Sequence, residues 1–374
     1  MTAIAVRMLL ENASRMIITT IGIAFLFFLT AAQVGLLVGW CNTCSAIIRN
    51  ADADIWVIAQ KTPCFDYGTP IPEHRIPQVR SVPGVVWAEG FFMAWNTWQR
   101  HDGAQVNVEV VGLDDHCVGG PWNMRDGDCD VVHYPDAVIV DETFLRQLGV
   151  ERLGDEFELY GTRCIVRGIC REVRTMTASP FIFTSIAKAR DFDKRYRNDQ
   201  VTYVLARCAA GESPEEVRNR IAAAVPHVEA LTSREFAIRT MKYWMLETGL
   251  GITVVVTAVL GFSVSTVVVS QTLYTITQDN LPKYAMLSAL GFAHWKLALA
   301  VLVQSVTLGM SGWAAGGAMY DQAAAASATT PIPLQTTPLI FAAITAAFLA
   351  SCVIASFLSL KAVFRLDPAE VFRA

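Results

Sequence analysis

The chain has 374 residues, 53% hydrophobic and only 17% charged, with a formal net charge of −4. Soluble domains carry about 25% charged residues, so a single water-soluble globule and a disordered chain are both excluded. The balance offers no concentrated basic face for nucleic acid, and no Gly-Lys dipeptide is present to form a Walker A phosphate loop.

The charge deficit is local. Residues 16–48, 248–278, 297–320 and 322–360 contain no Asp, Glu, Lys or Arg, whereas 49–247 holds 23 basic and 29 acidic residues. A bilayer core needs about 20 apolar helical residues, which predicts spans over Ile17–Gly39, Leu250–Gln271, Leu297–Tyr320 and Pro338–Leu360. The uncharged core of the first exceeds the roughly 7–15 residues of a signal peptide. Its only cleavage hint is Thr30-Ala31-Ala32, so an uncleaved anchor with a stalk to residue 48 is expected.

The stretch 49–247 reads as a large extracytoplasmic α+β domain. Asp54–Ala59 alternates like a strand, Pro72–Val82 has helical spacing, and Asp102-Gly103 between Phe91–Trp98 and Gln105–Gly112 signals a hairpin. Val201–Ala206 is strand-like. Ser213-Pro214-Glu215-Glu216 offers an N-cap, a first-turn proline and two acids to a helix ending near Ala224, with a returning strand at His227–Leu231. Two strand–helix–strand units thus bracket a β-rich insertion at about 114–200, with strands at Ala137–Val140 and Cys164–Gly168 and a small helix at Glu142–Leu148.

Eight of nine cysteines fall on or beside this domain, which favours disulfides or unpaired thiols, with no pairing readable. Cys41-Asn42-Thr43-Cys44 has the spacing of a redox or metal half-site but lacks a second such pair. Asp126–Asp130 lacks the length and terminal Glu of a calcium loop, and no histidine pair or nucleophile elbow appears, so neither a catalytic residue nor a metal is assigned. Trp87, Trp95 and Trp98, near Phe91 and Phe92, read as core packing or as a surface for a lipid-like substrate or partner.

Residues 248–271 form the second span, and 272–292 a connecting segment. Lys283–Leu290 has helical composition, Asp279 and Asn280 are placed to cap its start, and Gly291 suits its end. A helix here, between two spans, is well placed to be pushed by a soluble partner. The third span (293–320) carries Gly312 and Gly316, a small-xxx-small pair that lets helices approach closely. An outer loop (321–337) leads to the fourth span (338–360) and a tail (361–374). Basic residues flanking the spans put both termini in the cytoplasm.

Tyr284-Ala-Met-Leu-Ser-Ala-Leu-Gly291 resembles the cytoplasmic signature of FtsX-like, MacB-type ABC transporter permeases. Leu366-Asp-Pro-Ala-Glu-Val-Phe-Arg-Ala374 is similar to that family's closing motif, and Arg7–Arg15 to its amphipathic N-terminal helix, placed here at 1–16. Gln271-Thr-Leu-Tyr-Thr275 and Asp279-Asn-Leu-Pro282 look closest to the DevC-like branch associated with glycolipid export. The resemblance implies an integral membrane permease without its own nucleotide site or cofactor, in a bacterial inner membrane. It implies a homodimer, a separate cytoplasmic ATPase that binds ATP and Mg, and a periplasmic adaptor with an outer-membrane channel. The ATPase-coupling residues would be Asp279, Leu281, Lys283, Tyr284, Met286, Leu287, Ser288 and Gly291, with Asp367, Pro368, Glu370 and Arg373 in the tail. Lys283 and Ser288 depart from the usual acidic and basic residues of that signature. A lipoprotein-releasing or cell-wall-hydrolase-regulating relative and a membrane-anchored ligand sensor are the alternatives.

Overall fold

The computed structural model describes residues 13–192, 199–290 and 292–364. The chain divides into two compact units. One gathers the apolar helices up to Gly39, at 252–328 and from Pro333 onward; the other comprises Trp40–Gly251 with Thr329–Ile332.

The long helices run Ala13–Cys44, Leu250–Asp279, His294–Ser327 and Pro338–Phe364. The stretches Met16–Cys44, Leu250–Asp279 and Trp295–Ser327 are long and apolar enough to cross a membrane, and Pro338–Ile354 is a shorter apolar stretch. The second helix continues two turns past the predicted end at Gln271. No Gly or Pro interrupts Gln271–Asp279, and the hydroxyls of Thr272 and Thr275 donate to the carbonyls four residues back. Its 30 residues rise about 45 Å at 1.5 Å each, more than the ~30 Å hydrocarbon core.

Inside the helical unit, Phe27 is fully buried and meets Phe341 and Phe348 edge-on at 6.0 and 5.1 Å. Hydrogen bonds tie the helices laterally: Trp313 Nε1 donates to Thr345 Oγ1 at 3.1 Å, and the Thr20 and Ser311 hydroxyls lie 3.4 Å apart. Such pairs matter in lipid, where apolar burial alone gives helices little reason to associate.

The second unit is built on a ten-stranded sheet. Its strands include β1 (Ile55–Ala59), followed after the two-residue β2 (Ile71–Pro72) and the helix Arg75–Arg80 by β3 (Val85–Gln99) and β4 (Gln105–Leu113). The middle of the unit supplies β5 (Met124–Asp126), β6 (Ala137–Asp141), β7 (Glu156–Leu159), β8 (Thr162–Cys170) and β9 (Phe181–Ser185). The short β10 (Gln200–Val201) pairs with β2, and β11 (Tyr203–Cys208), the helix Pro214–Ala224 and β12 (Val228–Thr232) close the unit. The order β12-β1-β11-β3 interleaves the two strand–helix–strand units, each placing its strands on either side of a strand of the other. This is the split arrangement read from the sequence. The middle strands extend the same sheet as β4-β9-β6-β8-β5, with β7 against β3 and β8.

Strand β3 is 15 residues long because Val85–Gln99 contains no proline and is dense in aromatic and β-branched side chains. Alternation sends Phe91 and Met93 to one face and Phe92, Ala94 and Trp98 to the other, into separate cores. Trp56 is the hub of the first core, with ring centroids of Phe91, Tyr203 and Phe236 at 5.5–5.6 Å. The Asp102-Gly103 hairpin is present, but its connection spans residues 100–104, with Gly103 at φ +82° in the left-handed region open to glycine. At Ser213 the hydroxyl donates to Glu215 Oε2 and makes no N-cap bond, although Pro214 does begin the helix.

Candidate functional site

The connecting helix runs Leu281–Ala289 with Pro282 in its first turn. Proline lacks the N–H that a first turn cannot use, so it is tolerated there. Asn280 occupies the N-cap position, but its side chain donates to the Ile276 carbonyl at 2.9 Å. The capping expected of it is therefore corrected: Asn280 closes the helix before it, and Asp279 is the last residue of that helix.

Two faces follow. Tyr284 and Ala285 are fully buried, and Tyr284 packs with Leu297, Ala300 and Val301 at the start of the third long helix. The Tyr284 hydroxyl donates to Gln304 Oε1 at 2.8 Å, and burial pushes its pKa up to about 12. Tyr284 is thus an anchor between helices and presents no surface to a partner, which corrects its assignment to the coupling set. On the other face Pro282, Met286 and Leu290 are exposed at successive intervals of four, with Ala289 beside them. Met286 is 56% exposed and Leu290 71%. Leu281, Lys283, Leu287 and Ser288 are half-buried and Asp279 is exposed. Gly291, the N-terminal residues 1–12, and Asp367, Pro368, Glu370 and Arg373 lie outside the described residues. Leu290 was not assigned to coupling; the four-residue spacing from Met286 was its signal.

Gly312 and Gly316 lie against the first long helix. A Cβ at Gly312 would stand 2.3 Å from Ile23 Cγ2, and one at Gly316 2.4 Å from the Ala24 carbonyl oxygen.

In the α+β unit the three tryptophans separate. Trp98 is fully buried in the second core and donates to the Leu148 carbonyl at 3.0 Å. It offers no surface, because its strand position points it away from Trp87 and Trp95. Those two are half-buried on the opposite sheet face, Trp95 donating to the Asp66 carbonyl at 3.3 Å.

All nine cysteines are free thiols. Cys41 and Cys44 donate to the thioethers of Met245 and Met176 at 3.8 and 3.1 Å, an apolar setting. Of the acids at 126–130, Asp126 pairs with Arg125 and Asp128 accepts from the Cys129 amide. A cleft of 670 Å³ beside the hairpin tip is lined by Arg100, His101, Asp102, Arg146, Glu151 and Asp155, among others. Arg100 pairs with Asp102 at 2.7 Å, and Asp155 accepts from two backbone amides.

Four buried carboxylates, Asp66, Glu89, Glu109 and Asp141, escaped sequence reading. Glu109 is completely buried; Thr177 donates to its Oε1 at 2.5 Å, and its Oε2 has no partner among the described residues. Burial, with the negative Asp66 nearby, raises its pKa well above the ordinary value. Asp66 is itself raised by burial, against the lowering effect of the Trp244 indole that donates to it at 2.7 Å.

Residues 16–224 match the family described as MacB-like periplasmic core domain. Among solved structures, the periplasmic region of MacB from Actinobacillus actinomycetemcomitans is similar at 7% identity and TM-score 0.38, over 50% of this chain and 92% of that one. The extracellular domain of the noncanonic ABC-type transporter YknZ from Gram-positive bacteria is similar at 11% identity and TM-score 0.36, over 48% and 98%. No curated protein sequence matches.

Proposed function

On the premise that the chain belongs to the MacB-like periplasmic core domain family and is a MacB/FtsX-type ABC transporter permease subunit, we propose that it converts ATP-driven closure of a separate cytoplasmic ATPase into movement of its α+β domain. The observation that carries this reading is the exposed apolar stripe Pro282–Met286–Leu290 on a helix whose other face is anchored by Tyr284. A helix fixed on one side and open on the other can receive a push without slipping. The family implies an ATPase partner; the stripe is where we place its contact. Both termini and the Leu281–Ala289 helix are then cytoplasmic, and the α+β domain lies across an inner membrane.

The motifs around Gln271–Pro282 support the DevC-like branch, and with it export of a lipid-like or other hydrophobic substrate by a permease dimer with a periplasmic adaptor and an outer-membrane channel. A lipoprotein-releasing or hydrolase-regulating role is the alternative. Affinity purification of the full chain from membranes tests the reading. Co-isolation of an ABC ATPase and an adaptor is expected. Recovery with a cell-wall hydrolase would favour the alternative, and absence of any ATPase would refute the proposal.

A further inference from the structure

We propose that Cys117, Asp130 and His133 form a three-residue binding site for one zinc-class divalent cation on the α+β unit. A sulfur of Cys117, a carboxylate oxygen of Asp130 and a ring nitrogen of His133 all lie within 4.8 Å of one another. The Cys129 thiol stands beside Cys117. A sulfur, an imidazole and a carboxylate, with a fourth position left to water, are a donor set of borderline-soft zinc, whereas calcium and magnesium take oxygen alone.

The backbone holds these donors in place. Cys129–His133 is a short 3-10 helix begun by the Asp128 carboxylate on the Cys129 amide at 2.6 Å. Three residues per turn brings Asp130 and His133 onto one edge. Cys117 sits at φ +56° in a turn fixed by its amide bond to the Asp114 carbonyl and by the Gly120 amide bond to its own carbonyl. Gly120 makes room for both: a Cβ there would lie 2.7 Å from the Cys117 oxygen and 3.0 Å from the Cys129 sulfur. Cys117, Cys129 and Val131 pack against the first core, so the ring of donors rests on a rigid base while Asp130 and His133 face solvent.

The charge is suited to a cation. Asp130, Asp128 and Glu89 all bear negatively on Cys117. A disulfide between Cys117 and Cys129 is the competing fate of the Cys117 sulfur, and it would remove that sulfur from coordination.

The test uses the full chain in detergent, purified without reductant, with cobalt(II) as a spectroscopic probe and zinc(II) as competitor. One equivalent of cobalt with sulfur-to-metal charge-transfer absorption, displaced by zinc, is expected. Zinc should also shield Cys117, one of the nine thiols, from alkylation mapped by mass spectrometry. His133→Gln and Asp130→Asn change exposed residues and leave the core intact. His133→Gln should weaken cobalt binding by at least about tenfold, since even outer-shell substitutions cost that much. Binding unchanged by His133→Gln, no thiolate band with all thiols free, or Cys117 and Cys129 found oxidised to each other would each overturn the site.

Discussion

Replacing Met286 by Asp places a carboxylate in the middle of the exposed stripe without touching the anchored face. Met286 is 56% exposed, and full burial of a methionine side chain contributes about 1.5–3 kcal/mol, so covering its open half is worth about 1–1.5 kcal/mol. Desolvating a carboxylate against the same surface adds a cost of at least about 2 kcal/mol. Together the loss approaches ~3 kcal/mol, on the order of a 100-fold weaker interaction with the ATPase. The chain itself should fold normally, because exposed substitutions usually change stability by only about 0.5 kcal/mol. The assay is ATP hydrolysis in proteoliposomes as a function of permease concentration, with Met286→Leu as the control that keeps the apolar contact. Half-maximal stimulation should move to far higher permease concentration for Met286→Asp and stay in place for Met286→Leu. An unshifted curve for a folded Met286→Asp protein would refute the stripe as the docking face.

Further outcomes follow from the packing. Gly316→Val should destabilise the helical unit by about 1–3 kcal/mol, because the Ala24 carbonyl at 2.4 Å is backbone and cannot swing aside; an unchanged melting temperature in detergent would contradict the close approach. Trp98→Ala should cost about 3–5 kcal/mol and orphan the Leu148 carbonyl, read as a lower urea midpoint, and a wild-type midpoint would return Trp98 to the surface. Glu109 titrates higher in the folded state than its ordinary value of 4.5. Below that value both states hold the proton and no penalty exists. Above it the unfolded chain releases the proton first, so stability falls by about 1.4 kcal/mol per pH unit until the raised folded value is passed. Glu109→Gln should therefore flatten the stability profile above pH 4.5 by one proton's worth; an unaltered slope would show that Glu109 is not the group responsible.

The sequence was legible where local chemistry is self-sufficient. A charge-free run of helix-length size announces a span, Asp102-Gly103 announces a hairpin, and Pro214 followed by two acids announces a helix start. The same locality explains the failures. The continuous apolar run Ala137–Val140 names a strand but not its neighbours, so the parallel pairing of β4 with β9 and the merger of the middle strands into one sheet were invisible. Tyr284 read as a docking residue because its motif position says nothing about Gln304 twenty residues later. The Cys117–His133 constellation depends on a left-handed turn at a non-glycine residue, and a spacing of twelve between the cysteines carries no familiar ligand pattern. Trp98 shares its neighbourhood in the sequence with Trp95, yet an odd separation on a strand sends the two to opposite faces.

Strand β3 hydrogen-bonds to β11, β4 and β7 along its 15 residues. It is therefore a common beam for both halves of the sheet, and a tilt applied to one half cannot be absorbed at a seam before it reaches the other. If the proposed ATP-driven movement reaches the α+β unit, the unit should move as a plank, and spin labels at opposite ends of the sheet should hold a constant separation through the hydrolytic cycle.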